Sequence, residues 1–492
     1  MNPSFFYHLR NISLSLLTLL AITGLPVSTS ADDDLPSIGQ IESSNILDSE
    51  KKLGQAWLKQ FRSSVSLYTD PAVTEFTDRL LAKLAFYIGL SGEDLSLIIV
   101  KNKDLNAFAV PGGVIGVHTG LYEYAETEAQ FASVMAHELA HLSQRHYARN
   151  LETEKGRTLT NMAALLAGLV LIASNNGDAG AAAISTAQAA TIDNTLRFSR
   201  LFEEEADNIG FSILKKAGYP ANAMSAMFEQ MQKASRFNST PPEFLLTHPI
   251  TAKRIANTKN RVLNKTTTLD DSTLDYDLIR ARVLLSKAQS GQQAINFFRD
   301  EINGFSPSIN ASRYGLILAL IKDKQYGEAR KKLEDLKNSL AHSQNQHPLF
   351  IIAESDILLG ENRVEESHTL IEQAINNNNN GAFIRALKTQ KSALYMAERR
   401  HSEAVESLKR LSQDYPDDAN IWYQLSEFSG LAGDTLTLHQ SRAEFFILFA
   451  NFKSAQDQLN NILKKYKNND DAVAKAKTRL ADIKVMIEDE KF

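Results

Sequence analysis

The chain has 492 residues, 43% hydrophobic and 23% charged with 12 prolines, values that fit several folded domains and argue against a disordered or collagen-like chain. A formal net charge of −5 gives no basic excess with which to grip a phosphate backbone, so no nucleic-acid partner is expected. The complete absence of cysteine excludes disulfides, thiolate nucleophiles, Cys-ligated zinc and iron–sulfur clusters, so any metal must be held by histidine and carboxylate.

His8 and Arg10 precede an apolar run from Ile12 to Leu25, then Pro26 and the small residues up to Ala31. This is the pattern of a secretory signal peptide, residues 1–31, cut after Ala31. The run falls short of the roughly 20 apolar residues a membrane span requires, and Asp32, Asp33 and Asp34 follow it at once. Without cysteine there is no site for a lipid anchor.

Further on, Leu95 to Val100 reads as a strand, and Ala107 to Val110, Pro111–Gly112–Gly113 and Val114 to His118 read as strand, turn and strand. A proline beside a strand places it at a sheet edge, because proline cannot donate to the ladder. Thr127 and Gln130 fit a capping box that opens a helix over Ala129 to His146. A second long helix, Leu196 to Ala217, is closed by Gly218 and Pro220. Between them the apolar run Met162 to Ala173 and an alanine-rich stretch to Ala190 are too short to span a bilayer and are expected to form a buried hairpin arm or a lid. Lys265 to Thr273 is polar and aperiodic, a linker.

From Tyr276 onward the pattern is helical and repeats. A small residue followed four positions later by a large apolar one recurs as Ala294 and Phe298, Ala329 and Leu333, Ser367 and Ile371, Ala404 and Leu408, and Ala455 and Leu459. Trp422 and Leu425, after Tyr415–Pro416, begin a further unit, and Asn376 to Asn380 with Gly381 read as a loop between units. The pattern resembles the tetratricopeptide repeat, whose helix pairs are about 34 residues long.

The strongest chemical signal is His137–Glu138–Leu139–Ala140–His141. On an α-helix positions i and i+4 share a face, so both imidazoles can hold one metal while Glu138 projects beside it, a geometry that suits a zinc hydrolase. Downstream, Glu203 and Asp207 lie four apart on one face within a run of three glutamates. Spacing alone does not choose Glu203 over Glu204 as a third ligand.

Together these segments resemble the gluzincins and, within them, the M48 metallopeptidase family, whose Glu-x-x-Ala-Asp-x-x-Gly form fits Glu203, Asp207 and Gly210. Asn106 to Gly113 resembles that family's active-site edge strand, and Thr247–His248–Pro249 with Arg254 resembles the element that closes its domain. The resemblance implies one Zn2+ per chain on His137, His141 and Glu203, with the remaining position left for water. Glu138 is then the general base, Asp207 orients a ligand histidine, and Asn106, Ala107, Phe108 and Ala109 hold an extended substrate by strand addition. His248, flanked by Pro241, Pro242 and Pro249, admits three roles: a structural residue, a removable fourth ligand that keeps the enzyme latent, or a transition-state stabiliser. His118 and His146 are expected to be structural.

The expected fold is therefore an α+β gluzincin-type metalloprotease domain over residues 32–264, mostly helical with a small edge sheet. A linker over 265–275 leads to an all-α tetratricopeptide-repeat solenoid over 276–492. A signal peptide, a protease of this family and such an array together resemble periplasmic proteases of outer-membrane quality control. The resemblance implies unfolded or misassembled outer-membrane proteins as substrates, and the barrel-assembly machinery and the lipopolysaccharide-transport barrel as partners, with membrane contact at most peripheral. The competing expectation is a chaperone or assembly adaptor whose zinc site is mostly shut.

Overall fold

The computed structural model describes residues 48–152, 200–237, 242–260, 272–378 and 381–489. The leader with its cut after Ala31, the run from Met162 to Ala173 with the alanine-rich stretch behind it, and most of the linker lie outside these residues. Among the described residues no helix is long and apolar enough to cross a membrane.

The expected strands form one sheet, with β1 at Ser96–Val100, β2 at Ala107–Val110 and β3 at Val114–His118, in the order β1-β3-β2. β1 runs parallel to β3 with Ser96 opposite Val114, and β2 runs antiparallel to it with Ala107 opposite Val117. The turn between β2 and β3 needs glycine for two reasons. Gly112 has φ of 91°, and a Cβ there would come within 2.4 Å of the Glu50 carbonyl oxygen in helix α1 (Asp48–Ser64). β2 is the sheet edge that its neighbouring proline predicts, yet all four of its residues are buried.

Helix α2 (Pro71–Ala85) starts where Asp70 accepts from the backbone of Ala72 and Val73, and α3 (Thr119–Tyr124) follows β3 directly. The motif helix α4 (Glu128–Ser143) opens with Thr127 Oγ1 accepting from Gln130 N at 3.2 Å. The Gln130 side chain returns to Glu126 N at 2.7 Å, one residue before the position a strict capping box uses. Expected to reach His146, this helix ends at Ser143. Arg145 adopts the left-handed region with φ of 51° and reaches Glu50 on α1, and a new helix, α5 (His146–Glu152), starts after it.

Helix α6 (Arg200–Lys216) closes at Gly218, φ 83°, where Tyr219 N bonds the Leu214 carbonyl. α6 packs closely on α4. A Cβ at Gly210 would lie 3.3 Å from the backbone of Ala136 and His137, so glycine here lets the two helices approach at the level of the motif. The region is completed by α7 (Ala223–Phe237), α8 (Glu243–Thr247) and α9 (Ala252–Asn260).

The rest is helical. α10 (Leu274–Leu285), α11 (Gly291–Asn303), α12 (Ile309–Lys322), α13 (Tyr326–Ser339), α14 (Pro348–Gly360) and α15 (Val364–Asn377) are followed by α16 (Ile384–Ala397), α17 (His401–Asp414), α18 (Ala419–Ala432), α19 (Thr435–Leu448), α20 (Phe452–Lys465) and α21 (Asp470–Asp489). Helices of such an array bury their apolar faces on their neighbours. The recurring small residues Ala294, Ala329, Ser367, Ala404 and Ala455 each occupy the fourth position of α11, α13, α15, α17 and α20, and all are buried at helix contacts. Tight turns before α13, α15, α17 and α20 each place one non-glycine residue, Lys324, Asn362, Arg399 or Ala450, at positive φ.

The core does not stop at the linker. Tyr276 of α10 is fully buried against Phe76 and Phe131, and its hydroxyl donates to the Ala125 carbonyl at 2.7 Å. One apolar cluster runs from Ala72 on α2 to Leu394 on α16. Arg282 pairs with Asp70 at 2.8 Å, and Arg385 pairs with Asp78. The far end of the array comes back to α1, where Arg62 donates to the Asp417 carbonyl and Lys59 lies over the Phe452 ring.

Candidate metal centre

His137 and His141 leave α4 one turn apart on the face that meets α6, and Glu203 enters from the first turn of α6. His248 arrives from the C-terminal end of α8. One donor atom from each of the four lies within 4.8 Å of the other three. The Nε2 atoms of His137 and His141 are 3.1 Å apart, and each is 3.5 Å from a different oxygen of Glu203. Tetrahedral zinc with bonds of about 2.0–2.1 Å needs donor separations of about 3.3 Å. Two imidazole nitrogens and a carboxylate facing one point at this spacing fit a dication, and the residues present fit zinc.

The five residues His137 to His141 and Glu203 are each at most 3% exposed. Glu138 accepts from the backbone N–H of Ala109 on β2 and lies 3.6 Å from His248 Nε2. Burial pushes its carboxyl above the usual range, which makes it a better proton acceptor when ionised. His248 Nδ1 lies 2.9 Å from Glu203 Oε1. Arg254 on α9 places Nη1 2.7 Å from Glu203 Oε2 and forks onto Asp207.

Asp207 Oδ1 sits 3.1 Å from His137 Nδ1, on the ring edge opposite the donor nitrogen. Burial disfavours the charged form of His137, but Asp207 and Glu203 outweigh it and raise its pKa to about 9. The same field would favour a metal cation. His141 goes the other way, held well below the usual histidine range by burial and then by the charge of His137. Burial also works against ionised Glu203, yet His248 and His137 hold it well below the carboxylate range.

The structure thus brings His137, His141, Glu203 and His248 together around one point, with Glu138 beside His248 and Asp207 behind the His137 ring. The strand residues lie beside it. Asn106 is buried at the entrance to β2 and hydrogen-bonds Glu243 on α8, while Phe244 N donates to the Leu105 carbonyl at 3.3 Å. Ala107 and Ala109 are fully buried, and the Phe108 ring packs edge-on against Trp57 and Phe61 in a separate apolar cluster. The Phe108 side chain is thereby taken up by the core rather than offered to an extended ligand.

His146, expected to be structural, places Nδ1 2.8 Å from His141 Nδ1 and Nε2 3.2 Å from Glu205 Oε2. No periodicity points to it, since an i+5 residue of a continuous helix leaves the face of residue i; the break at Arg145 turns it back. Arg254 carries no local signal either, apart from its place in the family element. His118, also read as structural, is fully buried, with Nδ1 3.9 Å from Glu243 Oε2, and it makes no approach to the metal donors.

Comparison with known proteins agrees with this geometry. Residues 71–262 match the model of Peptidase family M48. The chain is 30% identical over 459 residues to the beta-barrel assembly-enhancing protease of Escherichia coli K12, covering 92% of each chain. It is 29% identical over 429 residues to the protein of that name in Yersinia pestis, covering 85% of this chain and 86% of that one. It is also 28% identical over 215 residues to the mitochondrial metalloendopeptidase OMA1 of Schizosaccharomyces pombe, covering 42% of this chain and 60% of that one.

Proposed function

Since the chain belongs to peptidase family M48, within its group of beta-barrel assembly-enhancing proteases, and is a metalloprotease with a role in outer-membrane protein assembly, we propose the zinc-dependent chemistry and the cellular setting that follow. The enzyme is a periplasmic endopeptidase that degrades outer-membrane barrel proteins which have failed to assemble and assists those still assembling. The observation that carries the reading is the convergence of donor atoms from His137, His141, Glu203 and His248 on one buried point, with the Glu138 carboxylate 3.6 Å from His248 Nε2.

His137, His141 and Glu203 would hold the zinc. When bound, the ion supplies Lewis acidity, polarising the scissile carbonyl and lowering the pKa of water toward neutrality. Glu138 takes a proton from the attacking water at its carboxylate and delivers it to the departing amine. The Ala109 N–H holds that carboxylate in place. Asp207 keeps His137 in the tautomer that presents Nε2. The backbone of Asn106 to Ala109 lines up an extended substrate by strand addition.

The protease region is residues 32–264 after a leader of 1–31, and 265–275 joins it to a tetratricopeptide array over 276–492. That array recruits substrates, with the barrel-assembly machinery and the lipopolysaccharide-transport barrel as partners.

A second reading, a mostly latent site, has its own support. The metal donors and the strand β2 are buried, and His248 places a donor atom within 4.8 Å of those of His137, His141 and Glu203. His248 is then a removable fourth ligand, and α8 must shift before a polypeptide enters.

Metal analysis of the purified chain, paired with cleavage of an unfolded outer-membrane protein, tests the reading. One zinc per chain is expected, and Glu138→Gln should keep it while losing about 10²–10⁴ in turnover. Full proteolysis by a zinc-loaded Glu138→Gln enzyme would overturn the mechanism.

A further inference from the structure

The two motif histidines are supported differently. His137 Nδ1 faces the Asp207 carboxylate directly at 3.1 Å. His141 Nδ1 faces another imidazole, His146, at 2.8 Å, and the carboxylate lies one step further out, with His146 Nε2 3.2 Å from Glu205 Oε2. Both carboxylates come from α6, two residues apart.

We propose that His146 is a positioning residue of the metal centre, accepting the Nδ1–H of His141 and donating its own Nε2–H to Glu205, so that the lone pair on His141 Nε2 is aimed at the metal. This rests on the zinc reading above.

The proton count is consistent. A ligand histidine that offers Nε2 to a metal must carry its proton on Nδ1, and that proton needs an acceptor. Neutral His146 has one acceptor and one donor nitrogen, so the chain His141 to His146 to Glu205 has a single direction. Glu205 ends the chain as an acceptor and also accepts from Arg149 Nη1 at 3.1 and 3.3 Å.

The surroundings fix the imidazole between its partners. His146 is fully buried and stacks on Phe202 with ring centres 4.6 Å apart and planes 10° from parallel. The Arg149 guanidinium covers the same Phe202 ring at 4.7 Å. The left-handed turn at Arg145 starts a new helix at His146 and brings its ring against His141, a contact that a continuous helix would not make. A non-glycine residue in that conformation is strained and persists where the surroundings enforce it.

The test uses two replacements in the full-length chain, with zinc affinity measured by chelator competition and the thermal midpoint of the metal-free protein measured alongside. His146→Phe keeps the ring and its stacking on Phe202 but has no acceptor, and is expected to weaken zinc binding about 10- to 100-fold while leaving the metal-free midpoint unchanged. His146→Asn offers an amide oxygen near the Nδ1 position and is expected to restore most of that affinity. With cobalt(II) in place of zinc, the visible spectrum should shift in His146→Phe and return toward wild type in His146→Asn. Equal zinc affinity in His146→Phe and wild type overturns the proposal. So does a parallel loss of affinity and metal-free stability in both variants, which would mark His146 as structural only. Failure of the wild-type chain to take up zinc sinks the zinc reading itself and is separately visible.

Discussion

Arg254 clamps Asp207 through two parallel hydrogen bonds of 2.7 Å, from Nε to Oδ2 and from Nη2 to Oδ1, while Asp207 faces the ring of His137. The two residues are 3% and 5% exposed, so both charges are paid for in desolvation and only their pairing offsets it. Arg254→Ala would leave Asp207 and Glu203 without their cation. A destabilisation of about 3–5 kcal/mol is expected in urea unfolding of the metal-free protein. Arg254→Lys should recover only part of it, because an ammonium cannot fork onto a carboxylate. A loss under about 1 kcal/mol for the alanine variant would show that the pair does not hold α9 to α6.

His248 offers a prediction on rate. If it holds the centre shut, removing its imidazole should raise cleavage of an unfolded substrate by the inverse of the open fraction, about 10-fold if one molecule in ten is open. The measurement is kcat on an unfolded outer-membrane protein for zinc-loaded His248→Ala against wild type. Activity that falls, with zinc still bound, would favour transition-state stabilisation instead.

Glu243 carries a pH signature. Burial, with the charge of Asp104 adding to it and the hydrogen bond from Asn106 opposing, raises its pKa from 4.5 to about 7. A folded pKa above the unfolded one means that the native state holds the proton more tightly. Its contribution is complete below about pH 4.5 and is lost as pH rises through 7. His118, 3.9 Å away, is lowered to about 4 by burial, so its contribution is present above pH 6.5 and lost as pH falls through 4. Glu243→Gln removes only the first effect. Between pH 5 and pH 8 its stability relative to wild type should rise by on the order of 2–3 kcal/mol, read from urea midpoints at each pH. Parallel pH curves would refute the assignment.

Tyr276 joins the halves. Tyr276→Ala should cost about 3–5 kcal/mol through the cavity between Phe76 and Phe131. Tyr276→Phe should cost about 1 kcal/mol, the worth of the bond to Ala125. Because one apolar cluster reaches from α2 to α16, calorimetry should show those helices melting in a single transition. Two well-separated transitions with boundaries near the linker would contradict this.

Features with a local cause were readable in the chain: the strands from their short apolar runs broken by Pro111–Gly112–Gly113, the motif helix from its cap, the later helices from their small-to-large spacing. That His137 and His141 share a face was readable because i and i+4 on a helix is a geometric statement as much as a pattern. His146 was not, since its placement depends on a left-handed arginine that no composition rule announces. The choice among Glu203, Glu204 and Glu205 is likewise tertiary. Packing of α6 on α4 at Gly210 turns Glu203 to the donor cluster, Glu205 to His146 and Glu204 outward to Lys253. The burial of β2 depends on elements far from it in sequence, and so an edge strand gives no hint that it is covered.

The return of the helical half to the first helix joins Arg62 to the Asp417 carbonyl, 355 positions away, and lays Lys59 over Phe452. Contacts between positions so far apart close a very long loop, and that entropy must be met before the contact rewards it. These contacts are therefore expected to form late in folding, after the helices between them have packed on their neighbours.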